Sequence, residues 1–277
     1  MVLKLTNNMQ RLFKMKFEQL IPAIILALFS LPLFADVLTE NVSYQVDGVE
    51  LQGYLVFPEG LVKETPGILV VHEWWGHNDY ARRRAEMLAE LGYVAFALDM
   101  YGEGKVTDHP NDAKKYMQEA TSNPEVLIDR FQAALDLLKQ QDHVDPNNIA
   151  AIGYCFGGAV VLNMARSGSD IKAVVSFHGA LATTNPAAKD TVKAKVLVLH
   201  GGNDAMVPED QVKTFEQEMQ AANVDYQLVT YEGVDHSFTN PAADEIGEKH
   251  SMPISYDREA DEDSWQRMQN LFKEIFN

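Results

Sequence analysis

Cys155 is the single cysteine of a 277-residue chain, and it stands in the run Gly153-Tyr154-Cys155-Phe156-Gly157-Gly158. A thiol with glycines two before and two after has the spacing of a nucleophile elbow, with cysteine in place of the serine of G-x-S-x-G. The glycines are needed because the nucleophile sits on a tight, strained turn whose neighbours leave no room for side chains. The apolar run Ala150-Ala151-Ile152 precedes the turn, and the helical pattern Ala159-Val160-Val161-Leu162-Asn163-Met164 follows it. That is the strand–turn–helix setting the motif demands. A helix N-terminus at the thiol also favours the thiolate, through the helix dipole and free N–H groups. An arbitrary free cysteine usually only fills space in a core. The spacing and flanking elements point instead to a nucleophile.

Such a nucleophile needs a base and a group that orients the base, in the chain order nucleophile, acid, base. Asp204 lies in the loop Gly201-Gly202-Asn203-Asp204-Ala205 after the apolar run Val196–His200, and His236 lies in Gly233-Val234-Asp235-His236-Ser237-Phe238 after the run ending at Tyr231. An aspartate in a Gly/Asn loop is often a turn former, and Asp99 and Asp235 compete for the acid role. Chain order favours Asp204. Of the eight histidines, only His236 has the expected order and loop. His72, His178 and His200 end apolar runs, while His77, His109, His143 and His250 lie in polar surroundings. The chemistry implied is acyl transfer: His236 exchanges a proton with the Cys155 thiol, Asp204 fixes the imidazole tautomer, and the thiolate attacks an acyl carbon.

Elements must hold these loops together. Alternating runs at Val42–Val46 and Leu51–Phe57 flank Asp47-Gly48 and predict an antiparallel hairpin. Continuously apolar runs follow at Ile68–His72, Val94–Asp99, Ile149–Tyr154, Val174–Phe177, Val196–His200 and Gln227–Tyr231, as expected of parallel strands covered on both faces. Helical patterns lie between and after them: Tyr80–Leu91, Ala113–Glu119, Glu125–Gln140, Phe156–Ser167, Glu209–Ala222 and Ser264–Phe276. The expected fold class is α/β: a mostly parallel twisted sheet with helices on both faces and an antiparallel N-terminal hairpin. Active sites of such sheets form at the carboxyl ends of strands. No repeat or low-complexity linker interrupts residues 36–277, which are expected to form a single domain.

Residues 1–35 differ from the rest. Lys4, Arg11, Lys14 and Lys16 precede an uncharged apolar run from Leu20 to Phe34, closed by Ala35 before Asp36. This is the layout of a secretory signal peptide, with cleavage expected after Ala35. The apolar run of about 15 residues is shorter than the roughly 20 needed to span a bilayer, and Pro22 and Pro32 interrupt it. Retention as an anchor and a start at Met15 are the alternatives. The expected location is periplasmic or secreted, with no membrane partner after cleavage. Across the chain, 23 Lys+Arg against 40 Asp+Glu leave a formal net charge of −17. Removing residues 1–35 makes the remainder more acidic still, which argues against nucleic acid and anionic membranes as partners. One thiol excludes an intramolecular disulfide and any multi-cysteine metal site. His72 and His77 are five apart at a strand end, so they do not form a zinc-protease helix motif, and no metal is expected.

With Cys155, Asp204 and His236 placed, the chain resembles the dienelactone hydrolase family over essentially all of residues 40–277. Further matches are His72-Glu73, Gly92-Tyr93-Val94 leading to Asp99-Met100-Tyr101-Gly102, Phe177-His178-Gly179, and Gly233–Phe238. The resemblance implies an α/β-hydrolase fold and a cofactor-free hydrolase of a small-molecule ester or lactone, as a monomer or small homo-oligomer. It implies that Glu73 lies beside the nucleophile and holds the resting thiol, and that the backbone N–H groups of Trp74 and Phe156 form the oxyanion hole. Trp75, Tyr101, Glu103, His178 and Phe238 are candidates for the pocket wall. Dienelactone-cleaving members also carry two arginines that hold the substrate carboxylate. The matching places here read Gly102-Glu103 and Thr239-Asn240, with Lys105 and Arg258 nearby but off the motif. Neutral esters or lactones are therefore the expected substrates. The competing reading is a non-catalytic or redox-responsive protein that uses Cys155 as a sensor thiol, and acyl transfer to an acceptor other than water stays open.

Overall fold

Asp47 and Gly48 both have positive φ, 50° and 80°, as the two central residues of a type I′ hairpin turn require. They join β1 (Val37–Val46) to β2 (Val49–Pro58) in an antiparallel register that runs from Val46↔Val49 out to Val37↔Pro58. The computed structural model describes residues 36–276, so the signal-peptide reading of residues 1–35 lies outside the described residues.

The hairpin opens an eight-stranded sheet of order β1-β2-β4-β3-β5-β6-β7-β8, with β3 (Thr65–Val71), β4 (Val94–Leu98), β5 (Val144–Tyr154), β6 (Ala173–Phe177), β7 (Lys195–Gly201) and β8 (Tyr226–Tyr231). β2 pairs antiparallel to β4, and all later pairings are parallel. The expected fold class is the observed one. Every residue of β4 and β6 is buried, the consequence of helices on both faces. On one face α1 (Asp79–Glu90) and α7 (Arg258–Ile275) cover Ile68, Val70, Ala95 and Ile152 with Ala85, Leu88, Met268 and Phe272. On the other, α3 (Pro124–Lys139), α4 (Phe156–Arg166) and α5 (Glu209–Ala221) place Phe131, Val160 and Phe215 in the layer that includes Leu69, Phe96 and Val174. The helix α2 (Pro110–Thr121) precedes α3.

Two helical regions depart from the expectation. α6 (Ala243–His250) buries only Ala243 and Gly247, too few apolar positions to register as a helical period. α7 starts at Arg258, before the predicted Ser264, because Asp257 caps it by accepting from the Ala260 N–H while Glu259 and Asp261 occupy the first turn. An acidic first turn is favourable at a helix N-terminus, yet in sequence it reads as a polar loop.

Candidate active site

The chain leaves β5 through Cys155, whose backbone sits at φ 53°, ψ −113° as the N-cap of α4. A side-chain-bearing residue in that region stores about 1–3 kcal/mol of strain. The turn closes so tightly that a Cβ on Gly157 would lie 2.2 Å from the Val71 carbonyl oxygen, and one on Gly153 would lie 2.1 Å from that of Gly157. The glycine spacing is thus a packing requirement. The Cys155 N–H donates to the Phe177 carbonyl at 3.0 Å and to Nδ1 of His178 at 3.1 Å. The thiol is half-buried.

Asp204 and His236 meet at the ends of β7 and β8. His236 Nδ1 lies 2.7 Å from Asp204 Oδ2, and both side chains are almost wholly buried. The second oxygen of Asp204 accepts from the Met206 and Val207 N–H groups at 2.8 and 3.2 Å, which fixes the carboxylate plane. The rival acids are used elsewhere. Asp99 gathers the N–H groups of Tyr101, Gly102, Gly104 and Gln52, and Asp235 takes Asn203 and Ser255.

Among the described residues, the buried Nε2 of His236 has no hydrogen-bond partner, and Cys155 lies close enough to act on the charge of the ring. Burial works against the imidazolium, while the negative Cys155 sulfur and the Asp204 carboxylate outweigh it and lift the His236 pKa from 6.5 to about 10. Because the folded value lies above the ordinary one, the charged ring stabilises the fold fully below about pH 6.5, and that contribution is lost as pH rises through about 10. The His236 ring protons are expected to titrate near pH 10 by NMR, and at lower pH in Cys155→Ala. A ring that titrates near 6.5 in both proteins would mean that thiol and imidazole do not pair.

Glu73 follows β3 and is 1 % exposed. Its carboxylate accepts from Asn240 Nδ2 at 2.7 Å and from Ser237 Oγ at 3.4 Å. In this arrangement it is bonded to the loop that carries His236, and the expected hold on the thiol is not made. Burial raises the Glu73 pKa, against the lowering influence of Asn240, His236, Ser237 and Arg84. His72 braces the same loop. Its Nε2 accepts from the Met100 N–H at 3.1 Å and its Nδ1 contacts the Glu73 carbonyl. Burial keeps this ring neutral by lowering its pKa.

The Tyr101 hydroxyl donates to the Trp74 carbonyl at 3.0 Å and so orients the neighbouring peptides. Among the described residues, no group accepts the N–H of Trp74 or of Phe156. Two free N–H groups from the loop after β3 and from the start of α4 are what a tetrahedral oxyanion requires.

The pocket candidates divide. Trp75 packs edge-on against Trp74 and walls a cavity of about 430 Å³ shared with Tyr80, Asn240, Ile246 and Lys249. Tyr101 borders a smaller one of about 100 Å³ with Lys105, Tyr116 and Arg130. Glu103 does not line a pocket wall: it sits at φ 59° on a loop that Asp99 turns outward, with its side chain 66 % exposed and 3.3 Å from Lys105. Phe238 and His178 have no accessible surface. Phe238 belongs to the layer under α7, and its ring lies beside Tyr231 and His178.

Sequence reasoning missed Ser237 and Asn240 as partners of Glu73, and it missed Arg84 altogether. Arg84 is 4 % exposed, donates to the Thr239 carbonyl and to Asp261, and has its guanidinium 5.2–5.3 Å from the rings of Tyr80, Tyr154 and Trp265. An arginine on an amphipathic helix reads as solvated, so no local signal could have found it.

A mostly parallel sheet with helices on both faces, a tight G-x-C-x-G turn after β5 and an Asp204–His236 pair on the loops after β7 and β8 is the architecture of an α/β-hydrolase. The dienelactone hydrolase family matches residues 51–276, and the chain belongs to that family. It is a hydrolase acting on ester or lactone bonds. The chain is 31 % identical over 240 residues to Protein usf of Aquifex pyrophilus, covering 85 % of this chain and 98 % of that one. A dienelactone hydrolase-like promiscuous phosphotriesterase from metagenomic libraries is 35 % identical with a TM-score of 0.81, over 87 % of this chain and 99 % of that one. The structure named m3DLH matches at 35 % identity and a TM-score of 0.82 over the same shares.

Proposed function

We propose that residues 36–277 form one exported domain that hydrolyses neutral esters or lactones through a thioester on Cys155, without a cofactor. The observation that carries this reading is the buried His236–Asp204 pair, set beside a thiol on a strained elbow. His236 holds the proton released when the Cys155 thiolate forms. The thiolate attacks the acyl carbon, and the N–H groups of Trp74 and Phe156 receive the oxyanion. Collapse of the adduct expels the alkoxide, which takes the proton from His236 and leaves the thioester. His236 then removes a proton from water, whose oxygen attacks the thioester. The acid departs, and the proton returns to the Cys155–His236 pair. A sensor thiol would need neither the oriented imidazole nor free N–H groups at the turn.

The preference for neutral substrates rests on what replaces the family's arginines. Asn240 is a neutral amide already donating to Glu73. Lys105 is paired with Glu103, and Arg258 is an exposed side chain paired with Glu262. A charge-assisted contact is worth about 1.5–3 kcal/mol, and without one the free carboxylate has no advantage, so kcat/KM for a neutral amide-bearing ester is expected to equal or exceed that for its free-carboxylate twin. A preference for the carboxylate that disappears on changing Lys105 or Arg258 to Met would overturn it. A neutral phosphotriester belongs in the same substrate panel, given the relative named for that activity. Export rests on the basic head and short apolar run of residues 1–35.

A further inference from the structure

His178 ends β6 at φ 41°, in the left-handed region, and has no accessible surface. Its Nδ1 faces the Cys155 N–H at 3.1 Å, and its Nε2 lies 2.7 Å from Thr239 Oγ1. An N–H group can only donate, so Nδ1 carries a lone pair and the ring proton sits on Nε2, donated to Thr239. The Thr239 hydroxyl is 2.6 Å from the Tyr80 hydroxyl, which accepts from Arg84 Nε at 3.3 Å. Arg84 closes the circuit by binding the Thr239 carbonyl and Asp261. The edge of the His178 ring also meets the His236 ring, with centroids 5.0 Å apart at 67°. The residue that follows lets the end of β6 lie against the start of α4: a Cβ on Gly179 would lie 2.7 Å from Gly158 Cα.

We infer that His178 is a positioning residue of the reaction: it clamps the nucleophile turn through the Cys155 N–H and backs the imidazole of His236, while Thr239 and Tyr80 hold its ring in one tautomer. The inference rests on Cys155 being the nucleophile. The clamp acts on a strained turn, and releasing it leaves the Cys155 N–H held by the Phe177 carbonyl alone, which lets the thiol drift from the His236 ring without emptying the pocket. The groups facing His178 are Cys155 on the elbow, His236 after β8, Arg84 and Tyr80 on α1, and Tyr154 on β5. Burial and the positive charges of His236 and Arg84 together push the His178 pKa well below its ordinary value. It therefore stays neutral while His236 carries the charge, and two neighbouring imidazoles divide the roles of clamp and base.

The test compares His178→Phe, His178→Asn and Thr239→Val on a neutral chromogenic ester, with iodoacetamide alkylation of Cys155 followed against pH. His178→Phe keeps a ring and loses both hydrogen bonds. Its kcat is expected to fall about 10- to 100-fold with KM within about threefold, because displacement of a reacting group by an ångström costs on that order. Alkylation of Cys155 is expected to slow as the sulfur loses its partner. Asparagine offers an oxygen close to the place of Nδ1 and accepts a left-handed backbone, so His178→Asn should recover most of the lost rate. Thr239→Val removes only the tautomer lock and should cost about three- to tenfold in kcat.

Wild-type kcat and alkylation profile in His178→Phe, or failure of His178→Asn to recover any rate at an unchanged melting temperature, would overturn the inference. If His178→Phe does not fold, Thr239→Val decides, and a wild-type rate and pH profile there would overturn it. Cys155→Ala runs alongside. Activity in that variant would remove the nucleophile assignment and this inference with it, whereas an inactive Cys155→Ala beside unaffected His178 and Thr239 variants would defeat this inference alone.

Discussion

Cys155→Ala is expected to lower kcat on a neutral ester by roughly 10⁴- to 10⁶-fold, the range in which groups that act as a unit fail together. Among the described residues, the hydroxyl next to His236 in sequence is not free to substitute. Ser237, the hydroxyl adjacent to His236, donates to Glu73 and is 4 % exposed. His236→Ala should approach the same loss, because without the ring the thiol has no proton acceptor and the leaving alkoxide has no donor. Asp204→Ala should cost somewhat less, since it orients and stabilises the ring without touching the substrate. The double variant Cys155→Ala/His236→Ala should be only slightly worse than either single one. Steady-state rates, with mass spectrometry of the trapped thioester in the wild type, check this. Losses that multiply fully in the double variant would show that the residues act independently. A His236→Ala protein with most of the wild-type rate would remove the base assignment.

Arg84→Met should be the most damaging single change to stability outside the site. Removing one partner of a buried ion pair costs about 3–5 kcal/mol, because the other charge is left uncompensated. Here the side chains of Arg84 and Asp261 are 5 % and 14 % exposed, at 2.6 Å. Arg84 also satisfies the Thr239 carbonyl and stacks on three aromatic rings, so methionine saves only part of the packing. A loss of this size corresponds to a melting temperature lower by about 10 °C in a domain of this length. The compensating Arg84→Met/Asp261→Leu variant should regain much of it, since a hydrophobic pair avoids the desolvation of two charges. Denaturant melts of the three proteins measure this. A single-variant cost below about 1 kcal/mol would place Arg84 among ordinary surface pairs.

What could be read before folding was whatever short-range rules dictate. The glycines around Cys155 are demanded by backbone clashes within one turn, and Asp47-Gly48 is demanded by two left-handed residues in a two-residue hairpin. Strands buried on both faces leave apolar runs that survive in one dimension, which is why β3, β4, β6 and β7 were found within three residues of their ends, whereas β5 begins at Val144, five residues before the expected Ile149, through the polar run Asp145-Pro146-Asn147-Asn148. The order of Cys155, Asp204 and His236 follows from the order in which parallel strands deliver their loops to one edge of the sheet.

Side-chain partnership across long separations had no such signature. Whether Glu73 holds the thiol or accepts from Asn240, 167 positions away, depends on how the loops after β3 and β8 close on each other. His178 ended an apolar run like His72 and His200, and only the packing of β6 against the elbow decided that its ring would meet the Cys155 N–H. Glu103 was placed at a motif position, and the N–H groups gathered by Asp99 turned it into solvent. Arg84 is the clearest case. Its burial is compensated by Asp261, 177 positions on, by the Thr239 carbonyl and by three rings, of which only Tyr80, one helical turn before it, is near in sequence. The chain alone determined which backbone shapes and chemical groups were available, because those follow from steric and hydrophobic rules acting over a few residues. The tertiary structure decided which polar groups were removed from water together, because desolvation is settled by whatever the folded chain brings within 3 Å.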